Sequence, residues 1–271
     1  MNLAHMNKSC LVAVAVLVTS MSLNAGPVRT LYGTSPGGDR TLYIINGSSA
    51  TSVNLAHDES AIAVDTTVRT LAAPGVGGQG QEFTLAGTST GVVYNTPGNF
   101  LFYDGTTDGI HNYAVDYQTG GVYSMALDWS SPTLLFSTGD GTNIDDGITY
   151  DVQNNSIWVA NLSTRRITDY SLTGTALSNF AAGVQIAGLA FDSVDGTLWG
   201  NSTADNRLYQ FSTTGTVLST GFITGVSSNG QIRGLEFAEG ASVGAPEPAT
   251  LITSLAGMLV AACFLRRRVI L

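Results

Sequence analysis

The sequence predicts an all-β fold built by repetition of one four-stranded unit. Three observations carry that expectation. Turn-forming residues are dense and charge is sparse, with 32 glycines and only 11% charged residues in 271, which favours short strands joined by turns over long helices. Part of the chain repeats itself at a fixed offset. One copy of the repeat is incomplete at the end of the body, and its missing part stands near the beginning.

The repeat is plainest between residues 147–178 and 188–219, which align without a gap at an offset of 41. Identities fall at Gly147/Gly188, Asp151/Asp192, Trp158/Trp199, Arg166/Arg207, Ser171/Ser212 and the Thr-Gly-Thr runs Thr173–Thr175 and Thr214–Thr216. Each copy reads as a short apolar strand ending in Asp, a turn, a strand carrying Trp, a second turn, an alternating strand, a Thr-Gly-Thr hairpin and a last strand. That is a four-stranded antiparallel meander. Weaker copies precede these two. Residues 114–123 fit over 190–199, with Asp116 on Asp192 and Tyr123 on Trp199, and strand pairs are expected at Gly91–Tyr94 and Phe100–Asp104. Residues 61–80 are expected to form an incomplete or irregular unit.

Closure follows from the split copy. Ile232–Phe237 matches only the first strand of a unit, Ile186–Phe191, whereas Thr30–Gly47 resembles Thr197–Gly215, the strands that should come next. A sheet assembled from both ends of a chain closes a ring and leaves no open edge to pair with strangers. Units of about 40 residues with four strands are propeller blades, so the expectation is a β-propeller of five or six blades closed by pairing of N- and C-terminal strands. The Gly-Leu-Ala-Phe-Asp opening at Gly188 and the Asn-Arg-Leu-Tyr strand at Asn206 resemble propellers of the NHL and SMP-30-like families, which include enzymes as well as binders.

Charge and cysteine bound the function. Between Pro27 and Ala245 stand 7 arginines, no lysine and 19 acids, the wrong sign for a phosphate backbone, so nucleic acid is not an expected partner. Only Cys10 and Cys263 occur, both in apolar end segments, so the body has no disulfide framework.

The ends read as an address. Residues 1–25 have one lysine, an apolar run from Cys10 to Val18 and then small residues, the layout of a secretory signal peptide cut after Ser22 or Ala25. The propeller domain is expected over 28–240 and a linker over 241–248. An apolar helix over 249–265 would be 17 residues, about 25 Å long, enough to cross a bilayer core. Residues 266–271 form a basic tail expected to stay in the cytoplasm, which places the body across the inner membrane. Pro246, Glu247 and Pro248, the apolar helix and Arg266, Arg267 and Arg268 together resemble the PEP-CTERM sorting signal of exopolysaccharide-producing Gram-negative bacteria. That resemblance implies recognition by an exosortase-type membrane protease and delivery to the periplasm, the cell surface or beyond.

Candidates for chemistry are few. His57 and His111 lie in different units with no cluster of ligands around them. Asp140, Asn143, Asp145 and Asp146 crowd a glycine-rich loop whose oxygens could hold calcium, although Asp and Asn also serve turns. Asp116, Asp151 and Asp192 read as turn-closing acids, and Trp158 and Trp199 as blade core. The expectation is an exported, non-enzymatic surface or matrix binding module, with exopolysaccharide as a candidate ligand. The alternatives are a metal-assisted hydrolase or lactonase in the central channel and a purely structural surface protein.

Overall fold

The computed structural model describes residues 27–37, 39–75, 77–139, 144–227 and 231–238. The signal segment, the sorting motif, the apolar helix and the basic tail lie outside the described residues. Twenty strands form five four-stranded antiparallel sheets, so the blade count is five.

Four of the sheets are unbroken meanders, and the fifth joins the first three strands to the last. The strands β1 (Leu31–Ser35), β2 (Thr41–Asn46) and β3 (Ser49–Asn54) belong to the closing blade V. Blade I is β4 (Glu59–Val64), β5 (Thr67–Ala72), β6 (Gln79–Thr84) and β7 (Ser89–Asn95). Blade II is β8 (Phe102–Thr107), β9 (Asn112–Asp116), β10 (Gly121–Met125) and β11 (Thr133–Ser137). Blade III is β12 (Asp145–Asp151), β13 (Ser156–Asn161), β14 (Arg166–Ser171) and β15 (Ala176–Ala181), and blade IV is β16 (Ile186–Asp192), β17 (Thr197–Ser202), β18 (Leu208–Ser212) and β19 (Val217–Gly221). The last strand, β20 (Gly234–Phe237), becomes the inner strand of blade V.

The closure expected from the split repeat is present. β20 pairs antiparallel with β1, Leu31 opposite Phe237 and Thr34 opposite Gly234, and β1 continues into β2 and β3. Arg29 locks the joint: its guanidinium donates to Asp192 and to the carbonyl of Ala238, and it stands 5.6 Å from the Phe237 ring centroid. One arginine thus ties the chain's start to its end and to blade IV.

Packing follows the blade boundaries. Five apolar clusters fill the five wedges between neighbouring blades, such as Trp158, Phe180, Leu189 and Phe211 between III and IV, and Tyr43, Trp199, Leu208 and Leu235 between IV and V. Trp158 and Trp199 are both buried, as their repeat position suggests. Hairpin glycines close the wedges between blades II and III and between III and IV: an added Cβ at Gly174 or Gly215, with φ of +85° and +88°, would sit 2.6 Å from Cβ of Phe136 or Phe180 on the preceding blade. Glycine is therefore demanded twice, by backbone and by space.

Two parts of the sequence reading need correction. Asp116 ends β9, the second strand of its blade, so the 114–123 match ran one strand late; the acid equivalent to Asp151 and Asp192 is Asp108, which caps the turn after β8. Residues 61–80, expected to be irregular, form regular β4 and β5 and open β6.

Because β20 carries the closure, Phe237→Ala should cost about 3–5 kcal/mol. Thermal unfolding followed by circular dichroism checks this; a fully buried Phe237 whose removal leaves the melting temperature unchanged would contradict the closed ring.

Candidate functional site

The inner strands β4, β8, β12, β16 and β20 surround the axis and are buried almost throughout. Aligned by repeat, one level carries Ala61, Asp104, Gly147, Gly188 and Gly234. Glycine is there because strands approach closely: a Cβ at Gly147 would lie 2.7 Å from the Ala187 carbonyl oxygen, and one at Gly188 would lie 2.9 Å from that of Arg233. Blade II alone places a carboxylate at this level.

Asp104 is fully buried and accepts four backbone hydrogen bonds. Gly105 and Leu235 donate to Oδ1 at 2.8 and 2.9 Å, and Ile148 and Leu189 donate to Oδ2 at 3.0 and 2.9 Å. These donors are the equivalent N–H groups of four inner strands. Burial pushes the Asp104 carboxyl well above the usual carboxylate range, and the four amides pull in the opposite direction. Beneath it the stitching continues: Tyr150 N–H donates to Thr106 Oγ1 at 3.0 Å and Phe191 N–H to Thr149 Oγ1 at 2.9 Å. Side chains thus supply acceptors wherever inner strands meet without a β-ladder.

The level preceding Asp104 is Ser60, Tyr103, Asp146, Ala187 and Arg233. Arg233 of blade V reaches past small Ala187 to Asp146 of blade III at 2.7 Å, and its guanidinium lies 4.6 Å from the Tyr103 ring centroid. Burial pushes Asp146 up to about 7, against the pull of Arg233. Glu59, at the start of β4, is likewise pushed by burial to about 7, opposed by the Thr70 hydroxyl and the amides of His57 and Gln81.

Of the candidate calcium ligands, Asp140 and Asn143 lie outside the described residues. Asp145 accepts from Thr138 Oγ1 at 2.7 Å and Asn161 Nδ2 at 2.9 Å, while Asp146 is engaged by Arg233. Among the described residues no three His, Cys, Asp or Glu side chains converge as a metal cluster. His111 is half exposed beside Asp108, and His57 lies in another blade. Asp116, Asp151 and Asp192 each accept backbone amides of the turn that follows, for example Gln153 and Asn154 on Asp151. Pro246, Glu247, Pro248 and Arg266–Arg268 lie outside the described residues.

Two features escaped sequence reasoning. One is Asp104, whose only signal was an acid where the repeat otherwise has Gly or Ala. The other is a groove of about 420 Å³ between blades I and II, walled by the loop after β5 and the β7–β8 connection.

The ring of five meanders closed by its two ends defines a five-bladed β-propeller. No protein-family model matches the sequence, and no curated protein is similar to it. Among solved structures, one chain of a nidogen/laminin complex superposes with a TM-score of 0.54 at 11% identity, over 77% of this chain and 98% of that one. A Bacteroides caccae protein of unknown function gives 0.48 at 11% identity over 72% of this chain and 73% of that one. Virginiamycin B lyase from Staphylococcus aureus gives 0.46 at 12% identity over 71% and 69%. The likeness to the first is one of fold.

Two outcomes test this arrangement. Asp104→Asn turns an NH₂ group toward backbone donors and should cost more than about 3 kcal/mol, read as a lowered melting temperature. Glu59 binds a proton in the folded state between an unfolded pKa of 4.5 and a folded one of about 7. Its contribution is therefore present below pH 4.5 and lost as pH rises through 7, by roughly 3 kcal/mol. Glu59→Gln should flatten that fall in denaturant titrations across pH 4.5 to 7.

Proposed function

We propose that this chain is an exported, non-enzymatic binding module that reaches the cell surface or matrix through its C-terminal sorting signal and there contacts polysaccharide. The observation that carries the non-enzymatic part is the filled axis. At its centre the Asp104 carboxylate is taken up by four backbone amides, and Asp146 on the adjoining level is taken up by Arg233. Binding is left to the faces and the grooves between blades. The body's excess of acids keeps it soluble and disfavours polyanions, which suits an uncharged ligand.

The route of export rests on the Pro246-Glu247-Pro248 motif, the apolar stretch and Arg266–Arg268. Intact mass and cell fractionation in the native host test it. With the sorting protease present, the chain should be found outside the inner membrane with a mass ending near Pro248; without that protease, the full tail should persist in the membrane fraction. An identical mass and location in both strains would remove the sorting reading. Co-sedimentation with the host's own exopolysaccharide tests the binding role, and turnover of lactones abolished by chelator would replace it with the enzyme.

A further inference from the structure

We propose that the face of the ring where the inner strands end rests on a lipid bilayer while the chain is tethered; the proposal rests on the reading that residues 249–265 enter the inner membrane, and it names what the body does there. The inner strands run the same way, because the N–H groups of Gly105, Ile148, Leu189 and Leu235 meet on Asp104 at one level. The ends of these strands, Thr107, Asp151, Asp192 and Phe237, therefore lie on one face. Four of the five blades hold up an aliphatic side chain there. Ile110 after β8 is 71% exposed, Val152 after β12 is 51%, Val194 after β16 is 77%, and Val28, at the entry to β1, is 94%. Blade I departs, with Asp65 and Thr66 in that turn.

The four form one arc. Tyr113, stacked on Tyr150 at 5.9 Å, joins the turn of Ile110 to that of Val152. Gln153 Nε2 donates to the Ser193 carbonyl at 2.9 Å, and Arg29, next to Val28, donates to Ser193 Oγ at 3.1 Å. The acids of these turns point inward. Asp108 accepts from the amides of Ile110 and His111, Asp151 from those of Gln153 and Asn154, and Asp192 from Val194 N–H and from Arg29. In a body where acids outnumber arginines 19 to 7, this arc turns its carboxylates onto its own backbone and leaves apolar tips outside. Solitary exposed aliphatics are ordinary; a connected row of them at matching repeat positions marks a protein or membrane contact.

Where the chain leaves the ring decides between the two. Ala238 follows β20 on this same face, its carbonyl held by Arg29, and only ten residues, 239–248, separate it from the apolar stretch 249–265. Fully extended, ten residues reach about 35 Å, so with that stretch in a bilayer Ala238 stays within this distance of lipid. A tether so short raises the effective concentration of the surface to roughly the millimolar range. Four aliphatic tips, too few to hold a free protein on lipid, then suffice for a shallow contact. No basic cluster stands on the arc: Arg29 is paired with Asp192, and His111 lies beside Asp108. The contact is therefore apolar, indifferent to lipid charge, and ends when the tail is cut.

The test reconstitutes the full chain, with Cys10→Ser and Cys263→Ala, in nanodiscs of phosphatidylcholine with and without phosphatidylglycerol. A fluorophore on Ile110→Cys, Val152→Cys or Val194→Cys should be quenched by spin-labelled lipid at least about threefold more than one on Leu177→Cys, which is 54% exposed on the outer strand β15. The quenching should be equal in both lipids. All four positions are exposed, so the substitutions leave the fold intact. Arc reporters quenched no more than Leu177→Cys, quenching confined to the anionic lipid, or shielding of the arc by a second copy in a concentration-dependent dimer would each overturn the face. If the chain nevertheless stays in the nanodisc fraction, the membrane reading of 249–265 stands without it; a chain that never enters nanodiscs removes both.

Discussion

The arrangement around the axis turns on one carboxylate. Five inner strands converge without forming ladders with one another, so their inward N–H groups need acceptors that no sheet supplies. Asp104 takes four of them, two on each oxygen. Its place is made by Gly147, Gly188 and Gly234, whose lack of side chains lets the other strands close around it. A second carboxylate at that level would meet like charge in a dry interior, and none at all would leave four donors unpaired. The ring admits a single acid there.

That economy separates two kinds of polar burial. Asp104, Thr106 and Thr149 satisfy backbone across blade boundaries and act as stitching. Asp146 and Glu59 are held near neutrality by burial, one beside Arg233 and the other beside Thr70. Other buried side-chain atoms, among them Ser35 Oγ, Thr96 Oγ1, Trp129 Nε1 and Trp199 Nε1, have no hydrogen-bond partner among the described residues.

Much of the fold was legible in the chain, and unevenly so. Blades III and IV share Trp, Arg and Thr-Gly-Thr at one offset, because both use the same wedge tryptophan and the same hairpin against the preceding blade. Blade II was misread by one strand: its inner strand reads Phe-Tyr-Asp-Gly-Thr-Thr, polar throughout its second half, and Ala114-Val115-Asp116 imitates the pattern a strand later. The split of blade V was readable because Ile232–Phe237 keeps the inner-strand pattern while the strands that follow it are at the other terminus. The axial acid was not, since its donors stand 44, 85 and 131 residues away and meet only once the ring closes. Nor was the groove, which two loops of neighbouring blades form together.

The pairing of Leu31 with Phe237 also brings the first and last described strands into one blade. The body's entry and exit strands are adjacent, so whatever is joined before Pro27 or after Ala238 begins from the same blade. Blades I to IV, with every loop between them, are uninterrupted by either attachment. Entry and exit through a single blade leave four meanders whose every turn is free of the chain's own comings and goings.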